Sequence, residues 1–171
     1  DVLARDVPHK GGRTFGYRVS DGERTVAYLP DHAPQNLGHG PDGLGELHDT
    51  AVELVQGADL LFHDAQYSAS ELPARGSFGH AAFEYAVELA AAAGVRTLLL
   101  FHHDPARTDD DLERVLQRLT CRDPSQSVDT FGAREGMSVE LSNASATRVA
   151  TAPRAVAPQE ISALASHDIV L

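Results

Sequence analysis

Ala58-Asp-Leu-Leu-Phe-His-Asp64 and Val95-Arg-Thr-Leu-Leu-Leu-Phe-His-His-Asp-Pro105 decide the fold. Each is a short apolar run that stops abruptly in imidazole and carboxylate. Runs of this length, rich in β-forming residues and too short for helices, read as buried strands. Between them, Ala81–Ala93 carries Phe83, Ala86, Val87 and Ala90 at helical spacing, with Gly94 as its stop. A strand, a helix and a strand in succession indicate an α/β domain.

Working outward, Arg13–Ser20 and Arg24–Leu29 read as two strands joined through Asp21-Gly22, an antiparallel hairpin. Pro30-Asp31-His32 ends the second strand, and residues 35–45 are glycine-rich loop. The spacing of Leu47, Ala51, Leu54 and Val55 predicts a helix over Glu46–Gly57. Thr108 heads a further helix, Asp109–Leu119, whose three leading aspartates suit the positive end of a helix dipole. Met137–Leu141 reads as a last strand. The expected order is β-β-loop-α-β-α-β-α-β over residues 1–142. Residues 143–171, dominated by Ala, Ser, Thr and Pro, read as a flexible tail.

Composition narrows the function. The 171 residues hold 14 Lys and Arg against 25 Asp and Glu, a formal charge of −11 that argues against nucleic acid as a partner. The lone Cys121 excludes an intrachain disulfide framework and a Cys-rich zinc module. No apolar run is long enough to span a membrane, and no basic, apolar leader is visible at Asp1, so a cytoplasmic protein is expected. The 9 His are clustered: His32, His63, His102 and His103 all lie beside an Asp or another His, and His80 follows Gly79. Imidazole and carboxylate in such pairs are the materials of a metal or acid–base site.

Each candidate has a bland reading beside the chemical one. Asp31, after a strand and before a loop, can bridge two cations or simply open a turn. His102 can ligate zinc through one nitrogen while the other is fixed by a hydrogen bond. On an extended chain its neighbour His103 would point the other way, so at most one of the two faces a site. Asp64, at a strand end, can orient His80 and raise its pKa, making the imidazole a general acid. At a helix start the dipole would lower that pKa, so Asp64 must prevail.

Five ordered blocks together resemble one family. Thr14-Phe-Gly-Tyr-Arg-Val19, Val26-Ala-Tyr-Leu-Pro-Asp31, Ala58-Asp-Leu-Leu-Phe-His-Asp-Ala65, Gly79-His80 and Thr97-Leu-Leu-Leu-Phe-His-His-Asp-Pro105 are similar to the second half of a metallo-β-lactamase-fold hydrolase, in its ribonuclease Z and phosphodiesterase branch. The resemblance implies the C-terminal half of an αββα sandwich, with one mixed sheet and flanking helices. It implies that Asp31 is the aspartate shared by two zinc ions, that His102 is the last metal-binding histidine, and that His80 is the general acid paired with Asp64. His9 stands where relatives often carry a histidine, with no role assigned.

The chain departs from the family in lacking any His-x-His-x-Asp-His run. Asp31 and His102 alone cannot hold two metals, since each ion needs three or four protein ligands. The resemblance therefore implies a metal-dependent hydrolase of phosphodiesters, acting on a small phosphoester, whose N-terminal half must come from elsewhere in a longer protein or from a partner chain. A homodimer is one expected assembly, and the chain alone is expected to be inactive. The alternative is a non-catalytic remnant acting as an interaction or regulatory module. Either way, an alternating subset of Phe15, Tyr17, Val26 and Tyr28 should lie on a sheet face without full cover.

Overall fold

A computed structural model describes residues 1–122, 128–141, 147–150 and 168–170. Residues Asp1–Gly132 form one compact unit and Ala133–Leu171 a second. The first unit holds strands β1 (Val2–Val7), β2 (Thr14–Ser20) and β3 (Thr25–Leu29), helix α1 (Asp49–Val55), β4 (Leu60–Asp64), a short α2 (Leu72–Arg75), α3 (Phe83–Ala92), β5 (Thr97–Phe101), α4 (Asp109–Arg122) and β6 (Asp129–Gly132).

The six strands make one mixed sheet in sequential order. β1, β2 and β3 pair antiparallel, and β3, β4, β5 and β6 run parallel. The hairpin turns at Asp21, whose carboxylate accepts from the Glu23 and Arg24 N–H groups. Register places Leu29 beside His63 and His63 beside Leu100. The carboxyl ends of β3, β4 and β5 therefore lie along one edge, where open α/β sheets bind ligands.

Alternation sorts the sheet into two faces. Val7, Ala27, Leu29, Leu61, Leu98 and Leu100 join one core with Leu54, Phe83, Leu89, Leu112 and Val115 of the helices. Gly16 lies on this face because there is no room for more: a Cβ there would sit 2.7 Å from Leu54 Cδ1 and 3.3 Å from both Leu29 and Val7. Gly16→Val is expected to cost about 1–3 kcal/mol through overpacking, read as a lower urea midpoint; an unchanged midpoint would contradict this packing. Beside it, Arg18 donates to the Leu54 and Gln56 carbonyls at 2.9 and 2.8 Å, closing the C-terminal end of α1.

The opposite face bears the expected aromatic residues: Tyr17 and Tyr28 are 38% and 39% exposed, joined by Val2 and Val19. Further along the same face Leu60, Phe62 and Leu99 are buried.

Several expectations shift. β1 and β6 carry no clean alternation of apolar residues and were not legible. α1 begins at Asp49, not Glu46, because His48 takes the cap position and accepts from Ala51 N–H; Leu47 consequently stays outside the helix and exposed. At α4 the expected cap forms: Asp111 N–H donates to Thr108 Oγ1 at 3.2 Å, and that hydroxyl donates back to Asp111 Oδ2 at 2.6 Å.

In the second unit, β7 (Ser138–Leu141) pairs antiparallel with β8 (Thr147–Ala150) and β9 (Asp168–Val170). The stretch read as a flexible tail thus contributes two strands, and the rest of it lies outside the described residues. Among the described residues no helix is long and apolar enough to cross a membrane.

Candidate metal and acid–base site

Four residues from separate parts of the chain meet at the sheet edge. Asp31 follows β3, Asp64 ends β4, His80 precedes α3, and His102 follows β5. One ligand atom of each lies within 4.8 Å of the others. These are the four residues singled out in the sequence.

Asp64 is at the centre and fully buried. Its Oδ2 accepts the His80 Nδ1–H at 2.8 Å and the His32 backbone N–H at 3.0 Å. The Asp64 side chain is therefore long enough to reach His80. The His80 pKa is raised, first by the hydrogen bond to Asp64, against an opposing effect of burial, with further help from the Asp64 and Asp31 charges. The carboxylates outweigh burial, as a close charge pair should. With Nδ1 committed to Asp64, the proton His80 can release is the one on Nε2.

His102 Nδ1 lies 3.0 Å from the Pro30 carbonyl and 3.3 Å from Asp31 Oδ1. Donation from Nδ1 to the carbonyl leaves the Nε2 lone pair free, the usual arrangement of a histidine prepared for a metal. His102 is also the only non-glycine residue with positive φ, at 58°, among the described residues. Such strain persists where surrounding contacts impose it, and it gathers at functional sites. Because of this kink the strand alternation does not extend to His103. That ring is half-buried and stacks on Phe83 at 5.9 Å, outside the four-residue group.

Asp64 Oδ1 is buried without a hydrogen-bond partner. A carboxylate oxygen in that state is costly unless a cation or proton compensates it. Asp31, Asp64 and the His102 imidazole around such an oxygen form a three-donor set that fits one divalent cation such as zinc, with the protonated His80 beside it. They do not supply enough ligands for two.

Three further histidines, whose joint arrangement was not evident in the sequence, lie behind the site. His32 Nδ1 is 2.9 Å from His63 Nε2, and His32 Nε2 is 2.9 Å from His48 Nε2. Burial lowers the pKa of all three, most strongly that of His32, where the neighbouring imidazoles add to the effect. Tyr85 of α3 packs edge-on against His32 at 5.4 Å. His32 and His63 had a visible signal, since each adjoins an Asp at a strand end; His48 adjoins Asp49 but at no strand end. His9 lies beside the site, with Nδ1 2.6 Å from the Gly79 carbonyl and its ring 5.2 Å from that of His80.

Comparison with known proteins agrees with this fold. The chain is 44% identical over 54 residues to the ribonuclease Z of Lactococcus lactis subsp. lactis strain IL1403, a stretch covering 32% of this chain and 18% of the relative. The chain thus spans about a fifth of the length of the curated relatives it matches. Among solved structures, the metallo-beta-lactamase fold protein YhfI from Bacillus subtilis aligns with a TM-score of 0.57 at 21% identity, over 78% of this chain and 46% of that one. The short form of human tRNase Z aligns at 0.50 and 25% identity, over 61% of this chain and 36% of its own. The sequence profile of the Beta-lactamase superfamily domain matches residues 1–103, which contain all four clustered residues, and the chain belongs to that superfamily.

Proposed function

We propose that this chain is the proton-donating half of a metal-dependent phosphodiester hydrolase. The observation that carries the reading is the 2.8 Å bond from His80 to Asp64 inside a group of carboxylates and imidazoles suited to a cation. Asp31 and His102 would hold the metal, with two zinc ions in the complete domain. A divalent cation supplies Lewis-acid polarisation of a phosphoryl oxygen and lowers the pKa of water. Asp64 orients the His80 imidazole and favours its protonated form, and His80 Nε2–H donates to the leaving oxygen.

The names of the relatives place RNA among the group's substrates, while the charge of −11 favours a small phosphodiester here.

Titration with Co2+ tests the site. One ion per chain is expected for the wild type, with affinity reduced at least ~10-fold in Asp31→Ala, about 1.4 kcal/mol. Equal affinity would remove Asp31 as a ligand. The absent His-x-His-x-Asp-His run favours a second reading, a non-catalytic remnant that serves as an interaction module. A wild-type chain that takes up no Co2+ would support it.

A further inference from the structure

The three histidines, His32 and His63 buried and His48 half-buried, are joined in series, because His32 uses opposite nitrogens toward its two neighbours. That excludes a common metal at their centre. One proton arrangement satisfies the contacts among the three rings; it turns the Thr50 hydroxyl hydrogen toward His48 Nδ1 and away from the Asp6 carbonyl 3.2 Å off. His63 Nδ1 lies 2.6 Å from the Asp64 backbone carbonyl, which can only accept, so His63 Nδ1 carries the hydrogen. In the neutral ring His63 Nε2 then accepts from His32 Nδ1–H, and His32 Nε2 accepts from His48 Nε2–H. This leaves His48 Nδ1 as an acceptor, which is what the other end requires: Ala51 N–H donates to it at 3.4 Å, and Thr50 Oγ1 lies 2.8 Å away. The reverse arrangement would set a lone pair of His63 against the carbonyl oxygen. Because the series ends on a carbonyl, it passes no proton onward. Its effect is to fix positions.

It fixes two positions in particular. His32 reaches β4 twice, by its ring through His63 to the Asp64 carbonyl, and by its backbone N–H to Asp64 Oδ2. The residue before it is Asp31. We infer that His48 is a positioning residue: from the cap of α1 it holds His32 and His63 in register and so sets where the Asp64 carboxylate stands relative to Asp31 and His80. The His48 contacts, to His32, Thr50 and Ala51, do not include the four clustered residues, so the effect on them travels through the series. The inference rests on the reading of the cluster as a functional site, but its test needs no metal.

Two substitutions separate positioning from helix capping. His48→Asn keeps a side-chain acceptor at a favoured cap position but is too short to reach His32. His48→Gln can place an amide N–H near the position of Nε2 but is a poorer cap. The readout is solvent exchange of the His80 Nδ1–H, followed by NMR on the metal-free, 15N-labelled 171-residue chain. In His48→Asn exchange should accelerate by roughly tenfold, comparable to the loss of one hydrogen bond, and His48→Gln should restore slow exchange. A capping role predicts the opposite order, and that order, or no change in either variant, would overturn the inference. Ring 15N shifts of the wild type provide a second check, since a hydrogen on His63 Nε2 would also overturn it. A wild type that binds no Co2+ would defeat the metal reading alone and leave this result standing.

Discussion

His80→Ala is expected to lower phosphodiester turnover by roughly 10²–10⁴-fold, the range for loss of a positioned general acid, with bound metal retained. The assay belongs to whichever assembly supplies the remaining ligands. The pattern across substrates is more telling than the size of the loss. A 4-nitrophenolate leaving group needs little protonation, whereas an alkoxide needs it fully. The loss should therefore be much larger for an alkyl phosphodiester than for bis(4-nitrophenyl) phosphate. Equal losses on both would reject His80 as the acid, even if both were large. The geometry behind this expectation is local: Nδ1 is held by Asp64 at 2.8 Å, so orientation and protonation are set by a single contact.

Asp64→Leu is expected to destabilise the fold by about 3–5 kcal/mol, the cost of removing one partner from a buried charge pair. It removes the acceptor of both His80 Nδ1–H and His32 N–H. The difference from wild type should depend on pH with a definite sign. The His80 pKa is raised in the fold, chiefly by its bond to Asp64. Its contribution is fully present below the unfolded value of about 6.5 and disappears as pH rises through the folded value. The variant should therefore lose most below pH 6.5 and less on the alkaline side. His32, His48 and His63 act in the opposite sense, because their lowered pKa values cost stability as pH falls below 6.5. To a first approximation that acid limb is common to both proteins and cancels in the difference. Denaturant midpoints from pH 5.5 to 8.5 would measure it, and a difference independent of pH would mean that Asp64 does not hold a charged His80.

The candidate site was largely legible because its residues stand where apolar runs end. Asp31, Asp64 and His102 each follow a strand, and the start of α3 supplies His80; once those strands are parallel, their ends converge. Legibility failed where a residue's role depends on a partner far away in sequence. His48 stands at no strand end, and its nearest ring, that of His32, is 16 residues away. β1 pairs through its backbone with β2 at a sheet edge, so its alternating charges gave no apolar stripe to read. The expected opposition of His102 and His103 assumed an extended chain, which the positive φ of His102 breaks.

The linear order of residues was enough to determine the α/β class, the two central strands, the helix between them and the four chemical groups, because burial periodicity and strand-end position are local properties. Only the tertiary structure decided that Asp64 reaches His80, that its other oxygen is left without a partner, and that three imidazoles run in series behind it. These are contacts across loops of 16 to 32 residues, and their distances depend on how the sheet and α1 pack, which no local pattern encodes.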